Sequence, residues 1–119
     1  MKNKPSVIAL LLSVFLLTPA AVPQVFADEA TIKKGKEVAF DRKKGNCLAC
    51  HAMDDGSLPG NQGPPLMAMQ GRFPDKAVLR AQIYDPLERN PNTIMPPFGV
   101  HNILSDDEID AIVEYLLTL

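Results

Sequence analysis

The stretch Cys47-Leu48-Ala49-Cys50-His51 decides how this chain is interpreted. Two cysteines separated by two residues, with a histidine directly after the second, form the pattern of a c-type haem attachment site. Each thiol adds to one haem vinyl group to form a thioether, and the short spacing matches the separation of the two vinyl groups. His51 is then placed to bind the iron as the proximal ligand. The chain holds two cysteines in all, so its whole thiol content lies in this motif.

Two other chemistries use closely spaced cysteines. A C-x-x-C pair can form a redox disulfide of the thioredoxin type, but that fold surrounds the pair with a βαβ pattern that is not visible here. A structural zinc site needs four ligands, and besides His51 the chain has one further histidine, His101. The residues therefore favour haem.

Residues 1–27 have the pattern of a secretory signal peptide. Lys2 and Lys4 make the start basic, Val7 to Leu17 is apolar apart from one serine, and Val25-Phe26-Ala27 fits a cleavage site. The apolar run is shorter than the about 20 residues of a transmembrane helix, although a retained membrane anchor is the alternative. Export predicts a periplasmic protein, in the compartment where haem is attached, with no membrane contact after cleavage.

Cleavage would leave residues 28–119 as one small domain. Without Lys2 and Lys4 it has ten basic and fourteen acidic residues, a net charge of −4. This charge gives no basic field for nucleic acid. A basic cluster still precedes the haem motif, either as a solvated helix face or as a surface that steers an acidic partner: Lys33, Lys34, Lys36, Arg42, Lys43 and Lys44.

The remaining pattern is helical and loop-like. We expect a first helix from Glu29 to Lys44, ended by Gly45. A second helix is expected to begin after Asp75 as its N-cap and to end near Tyr84. The segments rich in Gly and Pro are predicted loops: Asp54 to Pro65 and Arg89 to Gly99.

The last helix has the clearest boundaries. Ser105 and Glu108 form a capping box, and Leu104 and Ile109 form a hydrophobic staple. No run of alternating strands and no repeat is visible, so the sequence predicts an all-α domain. One apolar face follows the helical period: Ile109, Ile112, Val113, Leu116 and Leu117.

Met95 is the leading candidate for the second iron ligand. It lies in the segment Asn90 to Pro97, which prolines stiffen. A thioether is a weak, neutral ligand that gains from being held in place. Methionine opposite histidine raises the reduction potential relative to two histidines and suits electron transfer.

The other histidine and methionines have less specific expectations. His101 could give bis-histidine ligation, but it follows Gly99 in a loop and is expected to be exposed. Met53, Met67 and Met69 are expected to pack as apolar side chains, with Met67 and Met69 placed to pack on the edge of the haem ring.

A histidine that binds a metal usually donates its other ring N–H to a carbonyl, which fixes the ring. The stretch Gly63-Pro64-Pro65-Leu66 presents carbonyls without competing proline N–H groups. Pro64 is the expected acceptor for His51, and Leu66 is an expected contact of the haem.

The order of these features resembles a class I cytochrome c. It comprises an N-terminal helix, the haem motif, the Gly63-Pro64 turn, the Met95 loop and a C-terminal helix. The resemblance implies a small all-α fold whose terminal helices pack around one covalently bound haem c. It also implies that these helices cross near the haem edge, with Tyr115 or its neighbours at the crossing.

A closer resemblance is to the SoxX family, the monohaem subunits of the SoxAX cytochromes of bacterial thiosulfate oxidation. The run Met95-Pro96-Pro97-Phe98-Gly99 is the part that a generic cytochrome would not require. Five stretches carry the resemblance: Gly45 to His51, Gly63 to Leu66, Leu79 to Pro86, Asn90 to Gly99 and Ile103 to Ile109.

The SoxX resemblance implies a heterodimer with a SoxA-like cytochrome. In that family SoxA holds a cysteine-ligated haem and joins thiosulfate to a cysteine of the carrier SoxYZ. The SoxX haem takes the electrons and passes them to a small electron-acceptor cytochrome. This chain has no third cysteine, which implies an electron-transfer subunit with no catalytic residue of its own. A free-standing cytochrome c shuttle is the alternative.

Overall fold

The computed structural model describes residues 28–119, so the predicted signal peptide lies outside the described residues. Within residues 28–119, four α-helices follow one another: α1 (Glu29–Phe40), α2 (Met69–Arg72), α3 (Lys76–Tyr84) and α4 (Asp106–Leu116). Short 3-10 turns occupy Cys47–Ala49 and Pro86–Glu88. Residues 28–119 contain no β-strand, only an isolated bridge between Met53 and Leu66, which confirms the all-α prediction. Within the same range, no helix combines the length and apolar character that a membrane span needs.

Helix α1 is shorter than predicted. It begins after Asp28, whose side chain accepts a hydrogen bond from the Thr31 N–H at 2.7 Å, and it ends at Phe40 rather than Lys44. The Asp41 carboxylate accepts a hydrogen bond from the Lys43 N–H at 2.8 Å. This local side-chain bond offers the backbone an alternative to the helix, so residues 41–44 form a turn.

Gly45 therefore does not end the helix, and its role is steric. A Cβ atom there would lie 2.8 Å from the carbonyl oxygen of Val38, on the helix that the chain has just left. The left-handed backbone conformation falls on the next residue, Asn46, at φ 47°. Asparagine tolerates this region better than most residues do, and the chain thereby enters the haem motif.

Helix α3 begins and ends as predicted, and α4 begins at its predicted N-cap. The Asp75 side chain caps α3 by accepting from the Ala77 N–H at 2.8 Å. At α4, Ser105 N–H donates to Glu108 Oε2 at 3.0 Å, and Glu108 N–H donates to Ser105 Oγ at 3.3 Å. Both bonds of the expected capping box are therefore present. Ile109, the C-terminal partner in the predicted staple, is fully buried.

Helix α2 was missed by sequence analysis. It has four residues and no side-chain cap, and Ala68 before it adopts a left-handed conformation at φ 50°. Met69 is buried in the core and donates its backbone N–H to the carbonyl of Leu119 at 2.9 Å. A tertiary contact with the C-terminus, which local sequence patterns do not reveal, therefore anchors this helix.

The terminal helices α1 and α4 cross closely, as the resemblance implied. At Gly35 a Cβ atom would overlap the carbonyl oxygen of Ala111 and would lie 2.8 Å from Cβ of Tyr115. The Phe40 and Tyr115 rings meet edge to face, with centroids 6.4 Å apart and an interplanar angle of 64°. The absence of a side chain at Gly35 thus lets the two helix backbones approach each other.

One hydrophobic core joins the two helices of the crossing to α3 and to the loops between them. Ion pairs also hold α3 against α4, with Arg80 Nε 2.6 Å from Asp110 Oδ1 and Lys76 Nζ 2.7 Å from Glu114 Oε1. The core consists of Val38, Ala39, Met53, Met69, Leu79, Ile83, Phe98, Leu104, Ile109, Ile112, Val113, Tyr115 and Leu116.

We predict that Gly35→Ala destabilises the protein because the added methyl group overlaps the Ala111 carbonyl. Overpacking of this kind costs about 1–3 kcal/mol or more, measured as a lower urea midpoint of the haem-loaded protein. Gly71→Ala is the matched control, since a Cβ there meets no heavy atom within 4 Å. It should be neutral or stabilising by about 0.5–1 kcal/mol. Equal effects of the two substitutions would show that the crossing is not tightly packed.

Candidate haem-binding site

The haem motif folds into a single tight turn. After the 3-10 turn, the backbone N–H groups of Cys50 and His51 both donate to the carbonyl of Cys47, at 3.1 and 2.9 Å. These bonds bring the two cysteines and the histidine into one compact unit at the end of the α1 connection. The two thiols and the imidazole therefore keep the proximity that their sequence spacing predicted.

A second segment, residues 60–66, runs beside this motif. A Cβ atom at Gly60 would overlap the Ala49 carbonyl, so the two backbones are in direct contact there. The pairing holds the segment in a fixed register against the motif. It rests on three backbone hydrogen bonds of 2.8 to 2.9 Å: Gly60 N–H to Leu48, Gly63 N–H to Cys50 and Leu66 N–H to Ala52.

The same segment orients the His51 ring. His51 Nδ1 lies 2.7 Å from the carbonyl oxygen of Pro64, the acceptor that sequence analysis named. Because a carbonyl can only accept, Nδ1 carries the proton and Nε2 is the nitrogen that can bind a metal. A Cβ atom at Gly63 would overlap Cε1 of the ring. The imidazole is therefore packed against backbone and fixed in rotation.

The Cys47 thiol lies in an environment that disfavours its thiolate form. Both cysteines are free and half-buried. Burial raises the pKa of the Cys47 thiol to about 11. A redox-active C-x-x-C thiol needs the opposite shift, towards a reactive thiolate. The structure thus gives no support to the thioredoxin-like alternative.

Met95 takes part in two hydrogen bonds, one with Gln82 on α3 and one with Thr93 in its own loop. Its sulfur lies 3.8 Å from Nε2 of Gln82 on α3, and its backbone N–H donates to Oγ1 of Thr93 at 3.1 Å. The side chain is partly buried and packs against the hydrophobic core, as do Cys47 and Leu66. Sequence analysis missed the contact with Gln82, although a polar residue within the apolar stripe of α3 was the available signal.

The loop that carries Met95 is fixed to the end of α3. Gly99 N–H donates to the carbonyl of Tyr84 at 3.1 Å, and a Cβ atom at Gly99 would overlap the Tyr84 ring. Phe98 lies in the core, and its carbonyl accepts from the backbone N–H groups of Ile103 and Leu104 at 2.9 and 3.1 Å. The loop is therefore anchored both to α3 and to the approach to α4.

The remaining histidine and methionines separate into buried and exposed residues. His101 is exposed, as expected, and Met53 and Met69 are core residues. Met67 is 62% exposed among the protein atoms alone, so its packing on the edge of a haem ring stays a prediction. It lies between Leu66 and Met69, which backbone hydrogen bonds hold against the domain, and its own side chain is left outside.

A polar cluster ties the haem motif to the helix crossing. Lys36 Nζ on α1 lies 2.8 Å from carboxylate oxygens of both Asp54 and Asp55, three and four residues after His51. The hydroxyl of Tyr115 on α4 donates to Asp54 Oδ2 at 3.1 Å. The hydrogen bond from Lys36 lowers the pKa of Asp54, and burial raises the pKa of Tyr115. Asp54 is thus the point where α1, α4 and the segment after the motif meet.

Intramolecular ion pairs partly neutralise the basic cluster before the motif. Lys33 lies 3.9 Å from Glu37, and Lys44 pairs with Glu108 of the capping box. Since Lys36 is also paired, three of the six basic residues in the cluster have an acidic neighbour. The field left to steer an acidic partner is therefore weaker than the sequence suggests.

The donor groups fit the chemistry of a c-type haem. Cys47 and Cys50 supply free thiols, His51 supplies an imidazole oriented through Nδ1, and Met95 supplies a thioether held by an amide. None of these four groups carries a charge when it forms a thioether or binds a metal, and apolar side chains adjoin them. This combination would suit an apolar haem macrocycle whose iron takes an imidazole and a thioether from the protein.

Residues 30–116 match the family described as Cytochrome C oxidase, cbb3-type, subunit III, and the chain belongs to this family of cytochrome c domains. An uncharacterized lipoprotein from Aquifex aeolicus (strain VF5) is 36% identical over 92 residues, which cover 73% of this chain but 45% of that relative. The crystal structure of SoxXA from P. pantotrophus contains a similar chain, with a TM-score of 0.65 and 26% identity. That similarity covers 72% of this chain and 79% of the other.

The fold, the donor groups and the family together define an electron-transfer domain of the class I cytochrome c type, a class that carries haem c. The structural similarity to SoxX, which the sequence motifs predicted, is confirmed.

We predict that Asp54→Asn reduces the dependence of stability on pH below about pH 4. The pKa of Asp54 lies below its ordinary value of 3.8. Its ionised form therefore stabilises the fold above that value, and this contribution is lost as the pH falls through the lowered pKa. Thermal unfolding of the haem-loaded protein between neutral and acidic pH measures the effect.

Glu88→Gln is the control for this experiment, since Glu88 is an exposed carboxylate in the second 3-10 turn. It should leave the acid limb of the stability curve unchanged. If Asp54→Asn also leaves that limb unchanged, the contacts with Lys36 and Tyr115 do not contribute to stability.

Proposed function

We propose that this chain is the monohaem electron-transfer subunit of a SoxAX-type complex. In this role it accepts the electrons released when thiosulfate is oxidatively joined to a cysteine of a carrier protein. The observation that carries the proposal is the similarity to a chain of the SoxXA crystal structure, which extends over 79% of that chain. The proposed partners are a SoxA-like cytochrome, a small electron-acceptor cytochrome, and a SoxYZ carrier reached through the complex.

We assign one covalent haem c to the site. Cys47 and Cys50 would form the thioethers, His51 and Met95 would bind the iron, and Leu66 would contact the macrocycle. When bound, the haem would supply one reversible Fe(II)/Fe(III) couple. With both remaining ligands supplied by the protein, the iron would have no free position for a substrate, which favours electron transfer.

The protein groups around the ligands have separate tasks. The Pro64 carbonyl, 2.7 Å from His51 Nδ1, fixes the tautomer and increases the basicity of the imidazole. The thioether of Met95 is a weaker donor, which favours the ferrous state and raises the reduction potential relative to two histidines. The third cysteine that a cysteine-ligated haem would need is absent from the sequence. Bond formation would therefore belong to the partner subunit.

The proposed location is the periplasm, reached by cleavage of residues 1–27 and folding of 28–119. Haem is attached to c-type cytochromes outside the cytoplasm, so the proposed covalent haem supports this location. The description of the Aquifex relative as a lipoprotein is consistent with an exported protein. The same description keeps open the alternative of an exported chain held at a membrane surface.

We predict that Met95→Ala retains the covalent haem but replaces the sixth ligand and lowers the reduction potential. Loss of the methionine-to-iron charge-transfer band in the ferric protein measures the ligand change. Met67→Ala is the matched control, because the exposed Met67 side chain makes no core contact that would position it as a ligand. It should preserve the band. An intact band in Met95→Ala would exclude Met95 as the ligand.

We predict that the tagged chain, purified from its native host grown on thiosulfate, carries a second haem protein in one-to-one ratio. Mass spectrometry and haem staining identify that partner, and a tag-only strain is the control. A partner with a cysteine-ligated haem, together with thiosulfate-dependent reduction of this haem when SoxYZ is added, supports the SoxAX role. A haem-loaded monomer without a partner would instead indicate a free-standing electron shuttle.

A further inference from the structure

We propose that Arg80 is a positioning residue for the Met95 loop, which comprises residues 90–99. Its guanidinium holds the Tyr84 ring against Gly99, and this contact slows the release of the Met95 thioether from the iron. The inference rests on the proposed binding of iron by Met95. It extends that proposal from the ligand to the residues of α3 and α4 that would keep the ligand in place.

Two carboxylates of α4 hold the Arg80 side chain. Its Nε atom lies 2.6 Å from Asp110 Oδ1, and its Nη2 atom lies 2.5 Å from Asp106 Oδ1. Because Asp106 and Asp110 are one helical turn apart, two nitrogens of the same guanidinium reach two different carboxylates. A guanidinium presents its donors in a fixed planar geometry. The two ion pairs therefore determine the direction in which the plane of the Arg80 group faces.

The guanidinium also contacts the ring of Tyr84, one turn further along α3. Arg80 Cζ is 5.5 Å from the centroid of this ring, within the about 6 Å over which a cation is attracted to an aromatic face. Tyr84 is the last residue of α3 and is 37% exposed. Helix ends fray, so a half-exposed ring at this position needs a neighbour to keep one orientation. The Arg80 guanidinium supplies that neighbour.

The Tyr84 ring lies in turn against the end of the Met95 loop. A Cβ atom at Gly99 would lie 2.0 Å from Cδ2 of the ring, so the ring occupies the space that a side chain would need. Gly99 is buried and donates its N–H to the Tyr84 carbonyl at 3.1 Å. Met95 is four residues before this contact. A movement that carries the whole loop away from α3 therefore has to separate Gly99 from Tyr84.

These contacts form a connected series from α4 through Arg80 and Tyr84 to the Met95 loop. Its consequence follows from the chemistry of the proposed ligand, since a thioether is a neutral and weak electron-pair donor. An external ligand can replace Met95 at the iron while the loop is open. Contacts that lower the population of the open loop therefore lower the rate of replacement. An electron carrier benefits, because a change of axial ligand changes its reduction potential.

The test compares Arg80→Gln with Lys76→Gln in the haem-loaded protein. Lys76 is the matched control because it pairs with Glu114 at 2.7 Å and so joins the same two helices, at the opposite end of α3 from Tyr84. Two rates are measured: hydrogen exchange of the Gly99 N–H by NMR, and replacement of Met95 by cyanide in the ferric protein. Loss of the methionine-to-iron charge-transfer band follows the replacement.

We expect Arg80→Gln to raise both rates by roughly three- to tenfold, the combined size of two ion pairs and one cation–π contact at partly exposed sites. Lys76→Gln should leave both rates within about twofold of the wild type. If Arg80 acted only by holding α3 against α4, the two variants would change both rates equally. That outcome would overturn the inference.

Substitutions of Tyr84 test whether its ring transmits the effect. Tyr84→Phe keeps the aromatic face and should keep both wild-type rates. Tyr84→Leu removes that face and should raise both rates, and adding Arg80→Gln to it should give little further increase, because the two residues act through one contact. Wild-type rates in Tyr84→Leu would show that the ring does not transmit the effect, and the inference would be overturned.

Failure of this inference can be distinguished from failure of the proposed function. If the wild-type ferric protein lacks the methionine-to-iron charge-transfer band, Met95 is not a ligand and both proposals fail. If the band is present but Arg80→Gln leaves the exchange of Gly99 and the replacement by cyanide unchanged, the role of Arg80 is overturned while the proposed function stands.

Discussion

The close contact between α1 and α4 at Gly35 and Ala111 is the constraint on which the rest of the structure depends. A missing side chain at Gly35 brings the two backbones together, and this approach places Tyr115 beside Phe40 and within hydrogen-bond distance of Asp54. Asp54 in turn belongs to the segment that leaves the haem motif. The missing side chain at Gly35 thereby affects the position of the haem motif, because the Tyr115 hydroxyl binds the Asp54 carboxylate just after that motif. The buried face of α4 supplies the apolar surface that makes this arrangement stable.

The two halves of the candidate site are built by different means. Backbone hydrogen bonds between residues 60–66 and the motif hold the half that contains His51. Because these bonds join backbone atoms, the geometry of this half depends little on the identity of most side chains. Side-chain contacts hold the half that contains Met95, through Gln82 and through the packing of Gly99 against Tyr84. The first half is therefore specified by glycines and prolines that permit a particular backbone path. The second half is specified by residues of α3 that are distant from the loop in sequence.

This difference explains how much could be predicted from the sequence. The spacing of Cys47, Cys50 and His51, the caps of α3 and α4, and the apolar face of α4 are local patterns, and each corresponds to an element of the structure. Helix α1 ends early because the Asp41 carboxylate accepts a backbone N–H bond that competes with the helical bonds. Helix propensities do not reveal such a competition. Helix α2 depends on a bond to Leu119 fifty residues later. The contact between Gln82 and Met95 also joins two elements, and a sequence shows only that a polar residue interrupts an apolar stripe.

The hydrogen bonds at the two proposed iron ligands act in opposite directions. At His51, the Nδ1–H donates a hydrogen bond to the Pro64 carbonyl, which increases electron density on the imidazole and strengthens it as a donor. At Met95, the sulfur accepts a hydrogen bond from the Gln82 amide at 3.8 Å, and a thioether is the weaker donor of the two. If both residues bind the iron as proposed, the stronger imidazole would keep the metal attached in both oxidation states, and the weaker thioether would favour the ferrous state. An electron carrier needs both properties, since it has to retain its ligands through each cycle and still release its electron only to an acceptor of suitable potential.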